Sequence, residues 1–525
     1  MKANLTTTGR GCLALAVLLC GLVGVAHAQG VTPPTSPRYA RPVPPVGGLP
    51  ARVYGDSNVR RVQDTPPPPP PPPTAPTAPA VNPAQVPAGG GTNETDLTIP
   101  RAEKEGEPTN EVAAEEKAEE PKDETKLLMK FLGMEDSKIK IYGWIQNSYT
   151  GNTNGVPRNA LNFGVNPNFL ANRWMGNQYY LIFEKPLEQN DEINFGFRVD
   201  NLFGNDWQFN HMQGLNQSSF QPNHFLGYDP AQMYVEAHIP DGFLGTKGID
   251  IKGGRWYTLA GYEVVPATGR PLLSVPYMFN YGQPFTHFGA LTTWHITDKF
   301  NLYNGAINGW DRWINTNYKW GYIGGFTWTF NEDKTNLAFT TIWGPNQFPK
   351  QLPANQDFYP TGYINIPSLA GQKNPGYTAN DRVLFTTVLS HKWSDRLTQV
   401  METDQAFEQN VPGARSPVVN GVVQNGNAGK AAWYSFGNWF LYKITKDSDK
   451  LTGVWRSEIF RDNNGVRTGI ATNYSEFTLG LIYKPKPYLW VRPEARYDFA
   501  RSGHPYSDGT RNSQFTLGFD VILLF

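Results

Sequence analysis

From residue 137 to the last residue, apolar and polar side chains alternate in segments of about ten, the period of a strand with one face in hydrocarbon and one in water. In 488–499 (YLWVRPEARYDF), Leu489, Val491, Ala495, Tyr497 and Phe499 share one face, and Arg492, Glu494, Arg496 and Asp498 share the other. The last segment sets Phe515, Leu517, Phe519, Val521, Leu523 and Phe525 against Thr516, Gly518 and Asp520. Two further segments sort in the same way. Ile193, Phe195, Phe197 and Val199 oppose Asn194, Arg198 and Asp200; Tyr322, Phe326, Trp328 and Phe330 oppose Gly321, Thr327 and Thr329. One such segment also suits a half-buried strand of a soluble protein. Their number points to a wall that separates lipid from water.

The alternation predicts sixteen strands: 138–149, 177–186, 192–203, 231–239, 249–257, 285–296, 299–308, 319–330, 335–344, 382–392, 396–406, 431–443, 450–460, 474–484, 488–499 and 513–525. Connections after odd strands are long, such as 150–176 and 345–381, and those after even strands are mostly tight, such as 297–298 and 331–334. Long loops on one rim and short turns on the other fit an all-β, antiparallel up-and-down barrel spanning a membrane, with both chain ends on the short-turn rim. A misread hairpin would make the count fourteen or eighteen and leave this parity unchanged. At such a width side chains no longer fill the interior, so a watery passage is expected.

The start of the chain reads differently. Lys2 and Arg10, the apolar stretch 12–25 and Ala26-His27-Ala28 have the layout of a secretory signal peptide, 1–28, with an apolar run too short to span a bilayer as a helix. Cys12 and Cys20, the only cysteines, lie inside it, so 29–525 offers no thiol for a disulfide or a metal. Segment 29–100, with prolines 66–73 unbroken, is read as a disordered Pro-rich periplasmic linker. Segment 101–136 is acidic, and its end, KLLMKFLGM, groups Leu127, Leu128, Phe131 and Leu132 for one short helix at the barrel entrance. The barrel itself is assigned to 137–525.

Charge changes the picture by exclusion. Lys+Arg and Asp+Glu both number 46, which argues against nucleic acid as a partner. The seven histidines beyond residue 28 fall in no nucleophile or metal signature, and no phosphate-cradling glycine loop is present, so no catalytic residue, metal or cofactor is assigned.

Residues 253–284, then Thr286-His287-Phe288-Gly289, Asn308-Gly309-Trp310-Asp311, the stretch 197–204 and the strand 492–498 resemble the β-barrel porin family described as OmpL-like, over essentially 138–525. The resemblance implies an outer-membrane channel that passes small polar solutes and ions passively. By similarity to general porins, loop 258–284 with Glu263 and Arg270 is expected to fold inward. Its expected wall partners are Arg198, Asp200, Arg456, Glu458, Arg492, Glu494, Arg496 and Asp498. Opposed charges across a narrow pore filter solutes by size and charge, and both signs on one lumen suggest weak ion selectivity. Phe525, closing an alternating strand, resembles the signal read by the barrel-assembly machinery. Outer-membrane lipid is the expected surround, and a homotrimer is expected by analogy with porins of this size. The rival readings are an envelope barrel that binds or tethers through its Pro-rich tail, and a barrel hydrolase.

Overall fold

The computed structural model describes residues 127–157, 161–210, 212, 215, 226–240, 245–313, 319–345, 381–411, 418–419, 422–423, 429–446 and 448–525. The signal peptide, the Pro-rich linker and most of the acidic segment lie outside these residues.

Sixteen antiparallel strands close into one barrel: β1 (Lys140–Asn152), β2 (Arg173–Lys185), β3 (Asn194–Gly204), β4 (Gly227–Ile239), β5 (Ile249–Tyr257), β6 (Thr286–Thr297), β7 (Phe300–Ile307), β8 (Gly321–Phe330), β9 (Thr335–Pro345), β10 (Asp381–Ser394), β11 (Leu397–Val411), β14 (Gly429–Lys443), β15 (Leu451–Asp462), β16 (Thr472–Lys486), β17 (Leu489–Ala500) and β18 (Ser513–Leu524). Two short strands, β12 (Val418–Val419) and β13 (Val422–Val423), pair with each other within the β11–β14 connection. Each wall strand pairs with its neighbours in sequence, and β1 pairs with β18 to shut the cylinder.

The strands form where alternation predicted them, because closure satisfies every backbone group without leaving an edge, the condition for crossing hydrocarbon with strands. On β17, Arg492, Glu494, Arg496 and Asp498 are buried toward the interior while Tyr497 faces outward, 42% exposed. On β18, Phe515, Leu517, Phe519 and Leu523 are exposed on the outer wall, and Thr516 and Asp520 are buried inside. The connections that follow odd-numbered strands up to β11, and then β15 and β17, stand on one rim. The tight turns 298–299, 331–334 and 395–396 stand on the other.

The short helix is α1 (Leu127–Leu132). It buries Met129, whose sulfur accepts the Ile141 N–H at 3.1 Å, and so lies against the first residues of β1. A second helical turn, α2 (Trp207–Asn210), follows β3.

The seam is finished by the last residue. Phe525 N–H donates to the Gly143 carbonyl at 2.9 Å, and Gly143 N–H donates back to the Phe525 carbonyl at 3.0 Å. Gly143 has no room for a side chain, since a Cβ there would meet the Tyr180 carbonyl oxygen at 1.9 Å. Deleting Phe525 removes both hydrogen bonds, roughly 2 kcal/mol in all. We expect the truncated barrel to unfold at a lower temperature, measured as the temperature at which its compact band is lost in gel electrophoresis.

Candidate functional site

Loop 258–285 joins β5 to β6 and lies inside the barrel. A buried loop must find partners for its backbone donors and acceptors, because it has no ladder of its own. Apart from one 3-10 turn (Ala267–Gly269) and one π-helical turn (Met278–Gly282), this loop is irregular. Pro266, Pro271, Pro276 and Pro284 lower the number of N–H groups to be satisfied. Its apolar residues Ala260, Leu272, Tyr277 and Met278 share one core with inward residues Val388, Val400, Leu441, Val454 and Ile482 of the wall.

Charged side chains of the wall satisfy the remainder. Carboxylates take backbone N–H groups: Glu402 Oε2 accepts from Tyr262 at 2.8 Å, Glu494 Oε2 from Ser274 at 3.0 Å, and Glu458 from Tyr277 at 2.6 Å and from Met278. Guanidiniums take carbonyls: Arg456 donates to Ser274 O at 2.6 Å, Arg492 to Ala267 O at 2.9 Å and to Arg270 O, and Arg496 to Val275 O at 2.7 Å. Three strands beyond β17, Gln178 of β2 accepts Ala267 N–H at 2.9 Å and donates to Val265 O at 2.8 Å. Thr340 of β9 donates to Leu259 O at 2.9 Å. The loop is thus tied to both sides of the cylinder.

Each arginine is also neutralised. Arg456 Nε lies 3.0 Å from Glu476, Arg492 Nε lies 3.0 Å from Asp520 Oδ1, and Arg496 Nη2 lies 2.9 Å from Asp498. This matters because an unpaired buried charge is far more expensive than a paired one.

Glu263, at the near end of the loop, accepts from Trp439 Nε1 at 3.0 Å and from Arg456 at 3.3 Å. Burial pushes its carboxyl above the usual range, and Arg456 and Arg270 pull against that. Arg270 stands 3.7 Å from Asp206, and burial lowers its guanidinium. At the loop's exit, Asp311 Oδ1 accepts the N–H groups of Phe285 and Thr286 at 2.8 and 2.9 Å, and burial raises its carboxyl to about 6. Gly261 permits the entry turn: its φ is +89°, and a Cβ would sit 2.2 Å from Gln283 Oε1.

All ten charged residues singled out from the sequence face the interior, and eight of them gather at the loop. Glu263 and Arg270 belong to it; Arg456, Glu458, Arg492 and Glu494 grip it directly, Arg496 does so through Val275, and Asp498 braces Arg496. These eight have almost no solvent contact. The other two, Arg198 and Asp200, form a separate group on β3: Arg198 bonds Asp200 at 2.7 Å and Glu184 at 3.2 Å. There the wall meets water, with side-chain exposures of 23% for Arg198 and 28% for Lys252, which pairs with Glu236 at 3.3 Å.

Sequence reading passed over Glu402, Gln178 and Glu476, and gave Asp520, on the polar face of the last segment, no role at the loop. Each sits at an inward position of its strand, so the alternation that marked the β17 charges would have marked these as well. The strand histidines carry structural contacts. His238 and His295 share Asp250 at 2.6 and 3.0 Å, and His287 sits between Thr258 and the Gly309 carbonyl. No serine is hydrogen-bonded to any of them among the described residues.

None of the curated proteins matches the chain. Among solved structures it is similar to an anion-selective porin from Comamonas acidovorans, at 10% identity and a TM-score of 0.45 over 74% of this chain and 99% of that one. It is similar also to OprB of Pseudomonas putida (10%, TM-score 0.48, 76% and 97%) and to the outer membrane channel DcaP of Acinetobacter baumannii (10%, TM-score 0.43, 74% and 97%). Residues 138–525 match the family model described as "Putative beta-barrel porin-2, OmpL-like", and the chain belongs to that family of outer-membrane porins.

Proposed function

We propose that the protein lets small polar solutes and ions diffuse through the outer membrane, with loop 258–285 as the constriction and the charged strip on β2–β5 as the watered side of the passage. The observation that carries this reading is the asymmetry of the interior. On β10–β16 the inner wall, with its charged side chains, is buried under the loop, whereas Glu184, Arg198, Glu236 and Lys252 on β2–β5 keep solvent contact. A narrow route beside fixed charges of both signs sorts solutes by size first and charge second. The Pro-rich tail then stands in the periplasm on the short-turn rim, and Phe525 serves the assembly machinery as well as the seam.

Glu402, Asp404, Glu458 and Glu494 make no ion pair among the described residues, because they are engaged with backbone N–H groups and amides, whereas each interior arginine of β15 and β17 has an acidic partner. On the watered strip of β2–β5, Glu184, Asp200, Glu236 and Asp250 outnumber Arg198 and Lys252, so the field there leans negative and draws cations.

Purified protein in a planar bilayer is expected to conduct, to exclude sugars above a sharp size limit, and to show a reversal potential of cationic sign in a potassium chloride gradient. Absence of conductance would remove the channel reading; an anionic sign would remove only the charge reading. Glu458→Ala should leave two buried backbone donors without an acceptor, a loss on the order of 3 kcal/mol locally. Its expected result in single-channel records is a larger and noisier conductance, with the folded barrel retained in gel electrophoresis.

A further inference from the structure

At the long-loop rim the outer wall carries a row of like charge. On β15, Trp455 and Ile459 face outward and are exposed, and Arg461 follows on the same side. Arg461 stands opposite Asn473 of β16. The Arg501 N–H, one residue past β17, donates to Asn473 O at 2.9 Å, and Ala500 N–H donates to Asn512 O at 2.8 Å. The same ladder therefore runs on through Arg501 to Arg511, which precedes β18. With neighbouring strands about 4.8 Å apart, the row from Arg461 to Arg511 is roughly 14 Å wide.

Like charges facing each other across strands are destabilising unless something neutralises them. Arg461 donates to two uncharged groups, Asn463 Oδ1 at 2.7 Å and Asn473 Oδ1 at 3.3 Å. Arg501 and Arg511 are exposed, and their side chains make no hydrogen bond or ion pair among the described residues. The nearest acidic residues of the strands, Asp462 and Asp498, are buried toward the interior. Segments 463–471 and 501–512 hold one carboxylate, that of Asp508. The outer face of this rim is thus positive.

Below the row the same wall opens into a groove of about 580 Å³. Gly453 of β15 and Ala495 of β17 leave its floor bare, and Tyr442, Trp455, Leu479 and Leu517 stand around it. Along each strand the groove lies six residues from the charges: Trp455 from Arg461, Ala495 from Arg501 and Leu517 from Arg511. A strand tilted by about 40° climbs roughly 2.5 Å per residue, so the groove sits roughly 15 Å nearer the middle of the membrane. Guanidinium groups bind phosphate through paired, charge-assisted hydrogen bonds, and basic clusters at a membrane edge recognise lipid headgroups. An apolar slot beneath such a cluster fits the rest of the same molecule.

We propose that the face from β14 to β18 binds a phosphorylated glycolipid of the outer leaflet, with phosphate held by Arg461, Arg501 and Arg511 and an acyl chain laid in the groove below. Tight turns and both chain ends mark the periplasmic rim of an outer-membrane barrel, so the long-loop rim borders the outer leaflet. Charge and groove are separated along the strands as headgroup and chain are separated in the lipid. A free phosphate meets only half of the site. The site is on the outside of the cylinder and is independent of what passes through it.

Titration of the full-length, delipidated barrel in detergent with a bisphosphorylated, multiply acylated glucosamine disaccharide tests this, with non-denaturing mass spectrometry reading the bound mass. The unaltered chain is expected to carry the lipid. The triple variant Arg461→Gln, Arg501→Gln, Arg511→Gln is expected to bind it roughly tenfold more weakly or worse, since it loses hydrogen bonds between charged groups. Ala495→Trp, which fills the groove and touches no charge, is expected to weaken binding as well. Arg396→Gln, on the short-turn rim, is expected to bind as the unaltered chain does. All variants should run as folded bands and keep their conductance. Undiminished binding in the triple or the groove variant, displacement of the lipid by inorganic phosphate at equal concentration, loss of binding in Arg396→Gln, or a second protein chain on this face in place of the lipid would each overturn the proposal.

Discussion

A loop without regular structure can be buried only if something else completes its peptide groups. In this barrel the wall does so with carboxyl and guanidinium side chains. Glu402, Glu458 and Glu494 hold N–H groups of loop 258–285, and Arg456, Arg492 and Arg496 hold its carbonyls. Hydrogen bonds to charged groups are stronger than neutral ones and point in fixed directions, so the wall acts as a mould for the loop's course. The shape of the passage follows from that mould.

The same arrangement explains why so much charge is kept out of water. Each guanidinium is shared between a loop carbonyl and a carboxylate of the wall, as Arg456 is between Ser274 and Glu476. Removing one member strands its partner, whereas the complete network leaves few charges unsatisfied. The carboxyl groups of Glu402, Glu458 and Glu494 are held by loop N–H groups in place of a cation.

Two surfaces meet two solvents, and polar groups are managed differently on each. Inside, they are numerous and bonded to one another or to the loop. Outside, the amide oxygens of Asn147, Asn201 and Asn304 are covered by tyrosine hydroxyls. The wall thereby keeps one period of alternation while serving lipid and water.

The sequence by itself determined the cylinder. Strand period, loop parity and the inward side of β17 are local properties, read from side chains two residues apart, and strand β5 falls on the expected residues 249–257. Loop 258–284, with Glu263 and Arg270, was marked by similarity to general porins and not by its own pattern of residues. Only the tertiary structure decided what the charges do. Arg456 and Ser274, or Gln178 and Ala267, are brought together by closure of the barrel, and nothing in the spacing of distant residues along a chain reveals which of them will share a hydrogen bond. For the same reason alternation placed Arg496 and Glu458 toward water, while the folded loop covers them both.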